Sequence, residues 1–296
     1  MNKFKSGFVT VVGRPNVGKS TIVNKIVGEK ISITSPRPQT TRNKIHLVYT
    51  SEKGQIVFVD TPGMHKAKNE LDDYMLDQIY NSLKGIDVII FVVDATSLFG
   101  SGDEYVFREI KGAGKPIVVV MNKIDKIDKN TLISRKKNYE KNIQNEVIPV
   151  SATQKKNFNT LINTIFSYLP EGPKYYPEDM ITDQLERFIV SEIIREKLFY
   201  FTRDEVPYGV AVQIEDMKER DENIFYIRAN IYVEKKSHKG IVIGKNGKRL
   251  KKIGKEARTD IEKFLKHKVY LDLWVKVRQD WRNKEYLVEW MGYDKG

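Results

Sequence analysis

Two short glycine turns carry much of the chemistry legible in this sequence. The first, Gly13-Arg14-Pro15-Asn16-Val17-Gly18-Lys19-Ser20, satisfies the pattern G-x-x-x-x-G-K-[ST] in full. A loop of this kind wraps phosphates in backbone N–H groups, and the N-terminus of a following helix adds partial positive charge. Lys19 places a point charge on the outer phosphates, Ser20 offers a hydroxyl to Mg²⁺, and Thr21 continues the same turn. Two further segments follow apolar runs. In Asp60-Thr61-Pro62-Gly63, Asp60 can hold Mg²⁺ through water and the Gly63 N–H can reach a γ-phosphate. In Asn122-Lys123-Ile124-Asp125, the Asp125 carboxylate can accept both N–H donors on one edge of guanine. Adenine lacks that pair and would leave a carboxylate unsatisfied, so the set selects a guanine nucleotide. Asn122 and Lys123 support the base and its loop, and Ser151-Ala152 can complete the base pocket.

The second turn, Gly244-Lys245-Asn246-Gly247, follows Ile241-Val242-Ile243 and leads into Lys248-Arg249. Its glycines let something negatively charged approach the backbone closely. The surrounding charge is focused: residues 235–284 hold 17 basic and 5 acidic side chains, the same +12 that the whole 296-residue chain carries. Positive charge concentrated in this way is the footprint of a polyanion.

These motifs need elements to place them. "FVTVVG" (8–13), "IVFVD" (56–60), "DVIIFVVD" (87–94), "PIVVVMN" (116–122) and "EVIPVS" (146–151) read as near-continuous apolar strands. Helical patterns fall at 19–27 and near 70–83, 102–112, 131–143 and 156–169. The alternation specifies a doubly wound α/β sheet buried on both faces, and both phosphate and base motifs end strands at its carboxyl edge. Residues 46–60 instead read as an antiparallel hairpin turning at Gly54, adding an edge strand. "LPEGPKYYPEDM" (169–180), with three prolines and a glycine, reads as a linker. Beyond it come a helix over 181–202 with Thr182 as N-cap and strands at 208–217 and 223–234 joined by the turn 218–223. A helix over 249–267 and a half-buried strand over 268–277 follow, an α–β–β–α–β order. The alternation of that last strand suggests a core position for Trp274, and Trp281 and Arg282 suit fold-closing packing better than RNA contact.

The chain has no cysteine, which excludes a disulfide framework and thiolate chemistry. No stretch approaches the roughly 18 unbroken apolar residues of a membrane helix. The short apolar run after Lys3 and Lys5 enters the phosphate loop directly, so it reads as a first strand and not a signal peptide. A cytoplasmic protein is expected.

The ordered set of phosphate loop, "DTPG", "NKID" and "VSA" resembles the translation-factor-related GTPases. That resemblance implies that Gln39-Thr40-Thr41-Arg42-Asn43 is the first switch, with Thr41 as the hydroxyl ligand of Mg²⁺ and Thr40 as the alternative. It also places Met64, at the end of the second switch (Asp60 to Met64), where Ras-like GTPases carry the glutamine that orients the attacking water. Slow intrinsic hydrolysis is then expected. In a similar subgroup an asparagine at the position of Asn16 helps bind K⁺, which implies a K⁺ site here; His65 reads as a solvent-exposed residue more readily than as a general base.

"GIVIGKNGKRL" resembles the KH module, whose G-x-x-G turn clamps about four nucleotides of backbone. The resemblance makes residues 241–249 an RNA clamp, with Lys245 and Asn246 projecting between the glycines, Lys248 and Arg249 beside them, and Ile241 and Ile243 as an apolar floor. Across nearly the whole chain, "GRPNVGKST", "SPRPQTTRN", "DTPGMH", "NKID", "GIVIGKNG" and "LDLWVKVRQDWR" are similar to the Era family of bacterial GTPases. The expectations that follow are a P-loop GTPase domain over 1–170, a linker over 171–180 and a type II KH-type α+β RNA-binding domain with a C-terminal tail over 181–296. GTP or GDP is the expected ligand, Mg²⁺ the cofactor and K⁺ a further ion. The implied partner is the 3′ end of 16S ribosomal RNA during maturation of the small (30S) subunit, for a monomer with a peripheral membrane-associated pool.

Overall fold

The computed structural model describes residues 4–35, 37–221 and 224–294. Pro36, three residues before the expected first switch, and Glu222 and Asn223 of the expected 218–223 turn lie outside the described residues. The chain divides into two compact units: residues 1–66 with 75–183, and residues 67–74 with 184–296.

The first unit is the doubly wound sheet that the apolar runs demand. Its strands are β1 (Lys5–Val12), β2 (Ile45–Ser51), β3 (Gly54–Asp60), β4 (Val88–Asp94), β5 (Ile117–Asn122) and β6 (Val147–Pro149), in the order β2-β3-β1-β4-β5-β6. All neighbouring pairs are parallel except β2 with β3, the expected antiparallel hairpin at the edge. The central strands β3 and β4 are buried almost throughout, because helices α1 (Lys19–Val27), α2 (Glu70–Ser82), α3 (Ser101–Lys111), α4 (Lys129–Ile143) and α5 (Phe158–Tyr168) accompany the sheet. Local signals fix the helix ends. The Asp128 carboxylate accepts the N–H groups of Asn130 and Thr131 at the start of α4, and Gly28 closes α1 in the left-handed region at φ 94°. The parallel register brings the ends of β1, β3 and β5 to one edge, and with them Gly13, Asp60 and Asn122.

The proline-rich segment after α5 is anchored along the first unit. Gln55, fully buried on β3, accepts the N–H groups of Tyr175 (2.8 Å) and Tyr176 (3.0 Å) and donates to the Tyr176 carbonyl (2.9 Å). Gly172 N–H reaches Phe4 O, and Val48 N–H reaches Ile181 O. Thr182 therefore caps no helix: its hydroxyl donates to His46 O at 2.7 Å. The next helix, α6, starts at Glu186, four residues after Thr182, because residues 181–182 are held as an extended strap by β2.

The second unit contains α6 (Glu186–Phe201), β7 (Ala211–Asp221), β8 (Ile224–Val233), α7 (Lys236–Ile243), α8 (Lys248–Leu265), β9 (Lys268–Val277) and α9 (Glu285–Trp290). Its sheet runs β7-β8-β9, with β7 antiparallel and β9 parallel to β8, and α6, α7 and α8 pack against it. The expected α–β–β–α–β order lacked two helices. The segment "KSHKGIVI" forms α7, where the sequence suggested only an apolar lead-in, and α9 closes the tail. The crossover that brings β9 parallel to β8 is thus carried by two helices, α7 and α8, joined at the glycine turn.

Trp274 is a correction. Along β9, Val269 and Val275 are buried, whereas Tyr270 and Trp274 fall on the opposite face, 62 % and 55 % exposed. Strict alternation thus gives Trp274 to the outer face with Lys268 and Lys276. The buried tryptophan is Trp281, whose indole N–H donates to Gly209 O at 2.9 Å and whose ring stacks on Tyr293. Arg282 pairs with Glu234 at 2.6 Å. Trp281→Phe removes that hydrogen bond and leaves the Gly209 carbonyl buried without a donor. Chemical unfolding should report a loss of about 1–3 kcal/mol, and an unchanged midpoint would remove Trp281 as the tail's anchor.

Candidate functional site

The carboxyl edge of the first sheet assembles most of the residues singled out in its half of the sequence. Between β1 and α1 the loop 13–18 is shaped by positive φ at Asn16 (65°) and Gly18 (99°). No larger residue fits at Gly18: a Cβ there would lie 2.3 Å from Asn122 Nδ2. The same crowding applies at Gly13, where a Cβ would lie 2.4 Å from Val92 O, and at Gly63, where it would lie 2.6 Å from Pro15 Cα. These contacts bind the phosphate loop to β4, to the base motif and to the "DTPG" loop. Pro15, Asn16, Gly18, Lys19, Ser20, Thr21, Ile33, Thr34, Ser35, Gln39, Thr40, Thr41 and Gly63 line one concave pocket.

Two ionisable groups lie at its base. Lys19 is buried, donates to Gly13 O (3.1 Å) and Arg14 O (3.2 Å), and has its pKa lowered to about 8 by burial, against the opposing charge of Asp60. Asp60 is fully buried and its pKa is raised by that burial. The hydroxyls of Ser20 and Ser32 face its carboxyl, but neither meets hydrogen-bond geometry, so both carboxylate oxygens are unpartnered. The Ser20 and Thr41 hydroxyls stand 2.9 Å apart at the same place. Two hydroxyls beside an unpaired buried carboxylate form an all-oxygen donor set that suits Mg²⁺. Thr40 is turned away and bonds Ser35 Oγ (2.8 Å) and Arg37 O (2.8 Å). Arg42 is buried, and Asn43 follows it, two residues before β2 begins.

Arg14 points away from the pocket: its guanidinium pairs with the fully buried Asp103 at 2.8 Å and donates to Ser97 Oγ at 3.0 Å. It holds the loop by its side chain and can offer phosphate only its backbone. Val17 is buried, and its carbonyl accepts from Asn122 Nδ2 at 2.9 Å. Thr61 is buried and donates to Val11 O, while Pro62 connects it to Gly63. Met64 belongs to the apolar core, 1 % exposed, so it cannot orient a water in the pocket. His65 Nδ1 donates to Gly63 O at 2.8 Å, which leaves Nε2 as the acceptor of the Gln39 amide at 3.0 Å. Both ring nitrogens are engaged, which argues against a general base.

The base motif is ordered by its own side chains. Asn122 Oδ1 accepts the Ala152 N–H (3.0 Å), and Lys123, at φ 68°, pairs with Asp94 (2.5 Å). Ser151 Oγ donates to Asp125 Oδ1 at 2.5 Å; that bond holds the carboxyl below its ordinary pKa, so Asp125 stays an acceptor.

In the second unit the Gly244–Gly247 turn caps α7 and opens α8. Gly244 (φ 72°), Asn246 (52°) and Gly247 (72°) all take positive φ, and Lys245 and Asn246 are exposed. Arg249 bonds back to Ile241 O, and Lys248 is exposed at the first turn of α8. A groove beside the turn is lined by Gly247, Leu250, Lys251, Gly254, Arg258 and Leu271, among others. Its apolar floor is Leu250, Leu271 and Leu273, which the sequence reading did not name; Ile241 is 39 % exposed on α7 and Ile243 is half-buried. The signal existed in the period-2 pattern of β9, whose inward leucines face α8.

This combination of a guanine-nucleotide site on a doubly wound sheet and a G-x-x-G turn in an α+β module defines a GTPase joined to an RNA-binding domain. A family profile described as 50S ribosome-binding GTPase matches residues 8–123, and a KH domain profile matches residues 205–282. The chain is 62 % identical to GTPase Era of Halothermothrix orenii over 98 % of its own length and 99 % of the relative, and 52 % identical to GTPase Era of Clostridioides difficile with the same coverage. Two solved structures superpose with TM-scores of 0.95 at 42 % identity, covering 98 % of this chain and 99 % of each. One is Era in complex with MgGDPNP and nucleotides 1506–1542 of 16S ribosomal RNA; the other is an Aquifex aeolicus Era variant bound to GDP·AlF4⁻. The chain belongs to the Era family of GTPases.

The buried lysine gives the site a pH signature. Free protein loses the Lys19 proton near pH 8, and bound phosphate raises that pKa, so binding takes up a proton above pH 8. GTP affinity is then full below pH 8 and falls by up to about tenfold per unit above it. Fluorescent-nucleotide titrations from pH 7 to 9.5 check this; a flat profile would contradict it.

Proposed function

We propose that this protein is a GTP-hydrolysing switch that grips the 3′ end of 16S ribosomal RNA and assists maturation of the 30S subunit. One observation carries the reading: a single chain holds both a guanine-nucleotide site and an open, basic G-x-x-G groove, and a relative of the same architecture was solved with MgGDPNP and that RNA end together.

In this reading the backbone N–H groups of residues 13–20 cradle the phosphates and Lys19 neutralises their outer charge. Ser20 and Thr41 hold Mg²⁺ directly, and Asp60 holds it through water. Mg²⁺, when bound, neutralises negative charge on the phosphates as the outer bond breaks. The 2.9 Å approach of Thr41 to Ser20 supports Thr41 over Thr40 in this role. The Gly63 N–H approaches the γ-phosphate from a loop packed so closely on Pro15 that a Cβ at Gly63 would collide with it. Asp125, with Ser151 and Asn122 behind it, reads guanine.

With Met64 in the core, hydrolysis lacks a glutamine. Asn16, exposed on the pocket rim, would be the side-chain oxygen donor for a K⁺ ion, which would add positive charge beside the phosphates. GTP turnover in K⁺ should exceed that in Na⁺ by roughly tenfold or more, and Asn16→Ala should shrink the difference. Equal rates in the two salts would reject the ion's role.

On the second unit, one strand of RNA lies along the groove with its backbone against Gly244–Gly247 and its unstacked bases over Leu250, Leu271 and Leu273. Gly244→Asp with Gly247→Asp should weaken binding to a short 16S 3′-end RNA by about 100-fold or more while GTP binding is retained. Lys245→Glu, at an exposed position that does not strain the turn's glycines, should weaken it less. RNA affinities equal to the parent in both variants would remove the clamp.

A further inference from the structure

The stretch from α1 into the first switch contains a buried group that the nucleotide reading does not use. Ser32 is completely buried and its hydroxyl has no hydrogen-bond partner among the described residues. An unsatisfied buried hydroxyl costs about 1–3 kcal/mol, so a hydroxyl retained there needs a reason. The backbone around it is fixed by Asn24, which is buried on α1: Asn24 Oδ1 accepts the N–H groups of Ile31 (3.1 Å) and Ser32 (3.0 Å), and Asn24 Nδ2 donates to Ser32 O (2.6 Å). Three hydrogen bonds from one side chain leave the residue little freedom to turn. The Ser32 hydroxyl faces the Asp60 carboxyl, together with Ser20 and the Lys19 ammonium. The Ser32 hydroxyl and the Asp60 carboxyl therefore meet at one buried spot, outside strict hydrogen-bond geometry, with the Ser20 hydroxyl and the Thr61 N–H also beside the carboxyl.

We propose that Ser32 is a positioning residue for the metal: when Mg²⁺ is bound, its hydroxyl donates to one oxygen of Asp60 and leaves the other facing the metal-held water. The inference rests on reading this site as one for Mg²⁺ and a guanine nucleotide. Asp60 acts on the ion through water, so its orientation is not fixed by a direct bond to metal and needs a second donor. Ser32 supplies that donor from a loop pinned to α1, which ties the first switch's approach to the geometry of the metal site.

The test separates this role from simple space-filling. GDP binding is titrated against free Mg²⁺ for the parent, Ser32→Ala, Ser32→Cys and Ser20→Ala, and thermal unfolding is measured on each protein without nucleotide or metal. Ser32→Ala removes an unsatisfied hydroxyl, so metal-free stability should be unchanged or raised, while the Mg²⁺ midpoint should rise by about tenfold. GDP affinity in EDTA should match the parent. Ser32→Cys, a weaker donor of similar shape, should fall between them. If Ser20→Ala shifts the midpoint and both Ser32 variants do not, Ser32 only fills space and the proposal is overturned. Metal-free destabilisation of Ser32→Ala with an unmoved midpoint overturns it as well. If the parent itself shows no Mg²⁺ dependence, the metal reading of the site fails first and takes this proposal with it.

Discussion

The first unit is organised around a buried lysine and a buried aspartate that share the bottom of one pocket. Neither charge is tolerable there on its own, because burial pushes the Lys19 pKa down and the Asp60 pKa up. A triphosphate with its metal satisfies both at once. The surroundings keep that arrangement from relaxing. Gly13, Gly18 and Gly63 are crowded by Val92 O, Asn122 and Pro15, so the loops cannot move apart from one another without opening the packing. Arg14 reaches the other way, into Asp103 and Ser97, and ties the loop to α3. A rigid carboxyl edge is therefore a condition for holding unpaired charge, and the parallel sheet supplies it.

Much of this was legible in the residues. A parallel sheet has buried strands, and "VIIFVVD" or "IVVVMN" can hardly be anything else between helical segments. The motifs then sit at strand ends because backbone N–H groups and helix N-termini are free only there. Four features were not legible. Residues 181–182 look helical by pattern, but Thr182 is taken by His46 O, a partner distant in sequence. "KSHKGIVI" has too few residues for a clear period and contains Gly240, yet the parallel β8–β9 crossover makes it helix. Trp274 misleads because tryptophan suggests burial, while the register of β9 decides otherwise. The choice between Thr40 and Thr41 was likewise out of reach of spacing, since adjacent residues point opposite ways only once the loop is formed.

The two glycine turns solve different problems with the same backbone freedom. In the first, positive φ at Asn16 and Gly18 curls the loop around a concave pocket whose lysine is buried. In the second, positive φ at Gly244, Asn246 and Gly247 exposes the turn, and its lysines stay in water. Binding at the first therefore draws on desolvated, directional contacts and on a metal, whereas binding at the second draws on screened charge and on stacking over leucines. Salt should separate them: nucleotide affinity is governed by groups that ions cannot reach, RNA affinity by groups that they can.

That difference bears on what the nucleotide site leaves available for chemistry. Met64 sits in the core, the His65 ring is engaged through both nitrogens, and Arg14 is turned into an ion pair, so none of these three side chains places a water or adds charge at the phosphate. With those three side chains engaged elsewhere, what this edge of the sheet turns toward a nucleotide is the loop backbone, the buried Lys19 and the paired hydroxyls of Ser20 and Thr41, so the site's chemistry rests on held charge and oxygen donors more than on a side chain that moves a proton.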